Sequence, residues 1–120
     1  MILNSGKNKI ALFLGGSIVN EPSYNMIGAG SSTVSVNDTE LVDPTDRQLF
    51  TSTTFPSSQK ITYQSDWNSV EMSGTSPLSE FGVIGSAPAL TGSLWSRTVI
   101  PALTFDGTNE LRIEETWEVY

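Results

Sequence analysis

The chain contains no histidine and no cysteine. The missing histidine removes the usual general base, the commonest metal ligand and every Ser-His or Cys-His dyad. Its many serines therefore lack an obvious activator. A Ser-Lys pair would need Lys7, Lys9 or Lys60 buried beside a serine, and each stands near a turn or the terminus. The missing cysteine excludes a disulfide framework and thiolate chemistry, and is compatible with a reducing cytoplasm. Positive charge is scarce as well: six Lys and Arg face thirteen Asp and Glu, for a net charge of −7. This argues against nucleic acid as a partner, because neutralising phosphates takes Lys and Arg. An anionic membrane surface is disfavoured for the same reason. Long apolar runs are absent too. Ile10–Leu14 is too short to span a bilayer. Lys7 and Lys9 precede it as in a signal peptide, but no small-x-small cleavage site follows, so an unexported soluble protein is expected.

What the chain does have is Ser and Thr, about a quarter of its 120 residues. With few Lys and Glu and frequent Gly, that composition favours strands and turns. The clearest strand is the last. Leu111, Ile113, Trp117 and Val119 share one parity and one face, while Arg112, Glu114, Thr116, Glu118 and Tyr120 share the other. Asp106-Gly107 just before it signals a hairpin with Leu103–Phe105. Further strands are expected at Lys9–Leu14, Gln48–Phe55, Lys60–Asp66, Leu78–Ile84 and Ser93–Ile100. Ile18–Tyr24 is a short piece broken by Pro22, and Trp67, Val70 and Met72 continue a strand after a bulge. Ser35–Leu41 reads as a capped helical turn, with Ser35 and Asp38 in its first turn. Ser73–Pro77 reads as a turn. The expected fold is one all-β domain over residues 1–120. It is an antiparallel β-sandwich, jelly-roll or Ig-like, with at most one or two short helices. Ile61, Tyr63, Phe81, Trp95, Ile113 and Trp117 are the expected core. Residues 1–8 are either a frayed terminus or an extended arm that docks on a neighbour through Ile2 and Leu3.

No catalytic, metal or cofactor site is expected. Ile27-Gly28-Ala29-Gly30 is a weak phosphate cradle, since Thr33 replaces the third glycine and no βαβ unit follows. Glu114 and Glu115 point to opposite strand faces and cannot act together on a glycoside. Glu71, Glu80, Asp66 and Asp106 read as solvated surface acids. Asp43-x-x-Asp46 and the Asp106–Glu110 segment lack the spacing of a calcium loop. Glu115 shares the parity of Ile113 and Trp117, so it points inward and needs a partner. Arg97, on the face of Trp95, and Arg112 are the nearest in sequence. An internal Glu115–Arg97 pair, with the guanidinium against an aromatic ring, is the expectation, and an intersubunit pair is the alternative.

Five stretches together suggest a family. They are Ile27-Gly28-Ala29-Gly30, Asp38-Thr39-Glu40-Leu41, Leu78-Ser79-Glu80-Phe81-Gly82-Val83, Leu94-Trp95-Ser96-Arg97 and Leu111-x-Ile113-x-x-x-Trp117-x-Val119. In this order, over roughly residues 24–120, the chain resembles small β-sandwich virion proteins of tailed bacteriophages. The resemblance implies a non-enzymatic structural protein, assembled in the host cytoplasm into the virion. The favoured role is a capsid decoration, or cement, protein. A tail-fibre or baseplate adaptor is the alternative, and a carbohydrate-binding module using Trp67, Trp95 and Trp117 is a further one. Implied partners are other copies of the chain, as a trimer, and virion proteins such as the major capsid protein. Ile2, Leu3, Trp95, Arg97, Glu115, Trp117 and Tyr120 are the candidate interaction residues.

Overall fold

The computed structural model of the chain describes residues 1–17, 21–72, 77–85 and 94–119. It is a two-sheet antiparallel sandwich with two short helices. The elements are α1 (Asn4–Leu14), β1 (Pro22–Gly28), β2 (Pro44–Leu49), β3 (Ser52–Ser57), β4 (Lys60–Trp67), α2 (Ser69–Met72), β5 (Leu78–Gly85), β6 (Thr98–Leu103) and β7 (Leu111–Glu118). One sheet runs β2-β1-β5-β6 and the other β3-β4-β7.

The alternation in the sequence sets the inner face of the second sheet. Tyr63, Ser65 and Trp67 on β4 point inward, across from Glu115, Ile113 and Leu111 of β7. Lys60, Thr62, Gln64 and Asp66 point outward. Ile27 of β1, Leu78 of β5 and Val83 of β5 meet these residues from the first sheet. Phe50 stacks on Tyr63, and Trp117 packs edge-on to Tyr63 and stacks on Trp95. Burial of these aromatic rings carries much of the folding free energy.

The first sheet is covered on both faces. Met26 and Ile84 point away from the sandwich interior and meet Leu3, Leu41 and Leu94. That cover comes from the N-terminal segment and from residues 29–43. It explains why β5 is buried almost along its length and β1 over its second half.

Several expectations are corrected. Lys9–Leu14 is helix, not strand, and its side chains are largely exposed. The helix stops at Gly15-Gly16: the Gly15 N–H donates to Ala11 O, the Gly16 N–H to Phe13 O, and Gly16 takes φ 86°. The expected strand Gln48–Phe55 is two strands in different sheets. The break falls where the Phe50 N–H donates to Ser23 O of the first sheet and the Thr51 N–H to Gln64 O of the second. Asp106-Gly107 is not a hairpin turn. It carries the chain from β6 to β7, which lie in opposite sheets, and the Thr108 N–H donates to Asp106 Oδ1. Ser35–Leu41 forms a tight turn without a helix, the Asp38 N–H donating to Ser35 O. Residues 69–72 are one helical turn rather than a continued strand. Ile61 and Phe81 of the expected core are half-buried. Residues 18–20, most of the expected turn at 73–77, Ser93 and Tyr120 lie outside the described residues. None of the described helices is long and apolar enough to cross a membrane.

Candidate functional site

On the outer face of the first sheet, Glu80 follows the parity of Gly82 and Ile84; a register shift separates it from Leu78, which points into the sandwich. Glu80 was expected on the surface, yet it is fully buried, under the segment that joins β1 to β2. A carboxylate can be buried only if its charge and lone pairs are matched. Here they are. Oε1 accepts from the Gly30 N–H at 3.0 Å and the Asp43 N–H at 2.8 Å. Oε2 accepts from the Val42 N–H at 3.2 Å and from Arg97 Nε at 3.0 Å.

Arg97 is 1% exposed and completes the cluster. Its Nη1 donates to Asp38 Oδ2 at 2.9 Å and its Nη2 to Ser32 O at 3.1 Å. Asp38 Oδ2 also accepts from the Ser35 N–H. One guanidinium therefore ties the β5 carboxylate to two points of the 29–43 segment. The expected Arg97–Glu115 pair is corrected. Arg97 belongs to the outer face of the first sheet, whereas Glu115 lies inside the second, where Oε1 accepts from Trp117 Nε1 at 3.1 Å. Nor does Arg97 stack on Trp95. Lys9 Nζ occupies that position, 5.2 Å from the ring centroid. Arg112 pairs with Asp66 on the exposed face, at 2.8 Å.

The glycines around the cluster have a steric cause. A Cβ on Gly30 would stand 2.5 Å from Glu80 Oε1, and one on Gly28 would stand 2.7 Å from it. The Gly-x-Gly stretch does border an anion and gives it one N–H, that of Gly30, but the anion is the chain's own carboxylate and its other backbone donors are Val42 and Asp43.

A second region lies at the edge of the sandwich under α1. A groove of about 590 Å³ separates the helix from the second sheet. Ile10 and Phe13 form one wall, and Tyr63, Trp95, Trp117 and Val119 the other. The groove has two unmatched polar atoms nearby: Trp95 Nε1 and Glu115 Oε2 are buried without a hydrogen-bond partner. Burial, then the charges of Glu115 and Glu21, raise the Tyr63 phenol above its ordinary pKa.

The candidate interaction residues are thus divided between these places. Trp95, Glu115 and Trp117 belong to the groove region, and Arg97 to the ion cluster. Ile2 and Leu3 do not reach outward. Ile2 bridges to Ser96, the Leu3 N–H donates to Trp95 O at 2.9 Å, and Leu3 is fully buried in its own chain. α1 begins at Asn4, so most of the arm expected over residues 1–8 is helix. Tyr120 lies outside the described residues. Of the rings on which the glycan-binding alternative rests, Trp67, Trp95, Trp117 and Tyr63 are buried and Tyr24 is half-buried. Sequence reasoning missed Glu80 and Asp38 as partners of Arg97, and Ile10 and Phe13 as groove walls. Comparison of the chain with protein-family models, with curated proteins and with solved structures finds no match.

Proposed function

We propose that the chain is a non-enzymatic structural protein of a tailed-bacteriophage virion, and within that class a capsid decoration protein that binds the shell and stabilises it. The observation that supports this reading is a convergence. Four of the five stretches that carry the resemblance, separated by up to about seventy residues, contribute to one buried cluster through Gly30, Asp38, Glu80 and Arg97. The fifth is β7, which closes the second sheet. In this reading the cluster serves to hold a surface segment, residues 29–43, in one shape for recognition. Its carboxylate accepts four internal hydrogen bonds, which suits a fixed scaffold and not proton transfer to a substrate.

A decoration protein acts by bridging neighbouring shell subunits, so its binding free energy adds to particle stability by mass action. Partners in this reading are the major capsid protein and other copies of the chain, with a closed trimer matching the threefold positions of a capsid lattice. The net charge of −7 suits a basic docking face, so retention on the particle should weaken as salt rises. The test is mass spectrometry of purified virions followed by cryo-electron microscopy. The expected result is the chain in the particle, with its density on the shell. Density on the tail would replace decoration by the adaptor role, and absence from purified particles would overturn the reading.

A further inference from the structure

We infer that the last turn of α1 is a self-association surface, seated in the groove region of a second copy of the chain. The run Ile10-Ala11-Leu12-Phe13-Leu14 sets five apolar residues in succession. At about 3.6 residues per turn they point in every direction around the helix. A helix that is apolar all round is normally covered all round. This one has its own body on one side only, and Leu12, Phe13 and Leu14 remain 51%, 63% and 78% exposed.

The helix is not a loose terminus that could fold away. Its start is anchored by Asn4 N–H to Val36 O, by Ser5 Oγ to Leu94 O and by the buried Leu3. Gly6 packs so closely that a Cβ there would stand 2.5 Å from Trp95 O. The first half is therefore fixed, and it holds the apolar second half out from the body.

Charge identifies the occupant. α1 carries Lys7 and Lys9 and no acid, a charge of +2, while the rest of the chain holds four basic and thirteen acidic residues, a charge of −9. A partner for α1 should therefore offer an apolar recess beside carboxylates. The chain itself has one. The groove under α1 has aromatic and aliphatic walls with Glu21 on its rim, and the charges of Glu21 and Glu115 both bear on Tyr63 at its floor. A basic, apolar helix end and an acid-rimmed, apolar groove on the same chain are complementary between copies. The inference stands on these surfaces and does not depend on the virion reading.

Sedimentation velocity over a range of concentrations tests it, with Leu14→Glu, Leu12→Glu and Lys7→Glu beside the wild type. All three positions are exposed, and a circular dichroism spectrum checks that the fold is kept. The wild type should associate. Each leucine variant should dissociate about tenfold or more readily. Lys7→Glu and added salt should also weaken the contact. A wild type that stays monomeric throughout overturns the proposal, and so does an oligomer that survives both leucine variants. A monomer that instead binds vesicles of anionic phospholipid through α1 overturns it as well. Self-association lost in Leu14→Glu, with the chain absent from virions, would uphold this inference and reject the function proposed above.

Discussion

Replacing Arg97 by Ala probes the buried cluster directly. The change leaves Glu80 fully buried, with three backbone N–H donors but no cation, and it frees the Asp38 end of the 29–43 segment. Breaking a buried pair from one side costs about 3–5 kcal/mol, because the remaining charge is stranded. A chain of this length loses roughly 4 °C of melting temperature per kcal/mol. The expected fall is therefore about 12–20 °C. Glu80→Ala should cost at least as much, since the Gly30, Val42 and Asp43 N–H groups lose their acceptor together with the guanidinium. Glu80→Gln should not rescue it. An amide keeps one acceptor oxygen but turns a donor toward the Val42 N–H or Arg97 Nε. Asp38→Ala should be milder, because Asp38 is a quarter exposed and the Glu80 bond survives. The assay is thermal and urea unfolding of the single and double variants. Arg97→Ala with Glu80→Ala should cost less than the sum, by about 0.5–3 kcal/mol. Arg97→Ala with Glu115→Ala should be additive, since these residues bind different partners. Additivity in the Glu80 cycle, or a loss below about 1 kcal/mol for Arg97→Ala, would refute the assignment.

Three further outcomes are expected. The Arg112 hydrogen bond, then those of Gln64 and Thr51, hold the Asp66 carboxyl at about 2. A depressed folded-state pKa gives a contribution present above the unfolded value near 3.8 and lost as pH falls toward 2. An NMR titration of the carboxyl carbon should show that low midpoint, and Arg112→Ala should raise it; an unmoved midpoint would remove Arg112 as the cause. For Tyr63 the sign is reversed. Its pKa is raised, so its contribution is complete below the unfolded value of 10.0 and is lost as pH rises beyond it. An ultraviolet absorbance titration should show one late phenol, and Glu115→Gln should bring its midpoint down. Lastly, Gly6→Ala should destabilise by about 1–3 kcal/mol despite its better helix propensity, because the new methyl meets Trp95 O; a stabilised variant in thermal unfolding would mean that α1 does not pack there.

The sandwich was legible where one face is buried and the other is wet. β4 and β7 alternate cleanly, so the inward residues Tyr63, Ile113 and Trp117 could be read off directly, while Trp67, the last residue of β4, was not placed in the core. α1 was not legible as a helix, because Ile10–Leu14 has no polar position to reveal a period. Its start gives no signal either: Leu3 is the N-cap and makes no side-chain capping bond. Asp106-Gly107 was correctly a turn and wrongly a hairpin. Turn chemistry is local, but the sheet that the next strand joins depends on the whole chain.

The cluster was half legible for the same reason. Parity identified Glu115 as an inward acid, and nearness in sequence then offered Arg97 as its partner. The real partners of Arg97 stand 17 and 59 residues away, on another strand and in a loop. Yet a signal existed. Glu80, Gly82 and Ile84 share one face, so Glu80 is an acid on a stripe whose other members are a glycine and an isoleucine. An apolar stripe is a covered stripe, and a glycine in a strand marks close approach of another backbone. Whatever covers Glu80 must then bring backbone donors and a cation. The segment that begins with Gly-x-Gly has the first, through the N–H of Gly30 and the successive N–H groups of Val42 and Asp43. Arg97 has the second. The weak phosphate motif and the supposed surface acid account for each other: the glycines that seemed to wait for a ligand are the room Glu80 needs to hold the loop down.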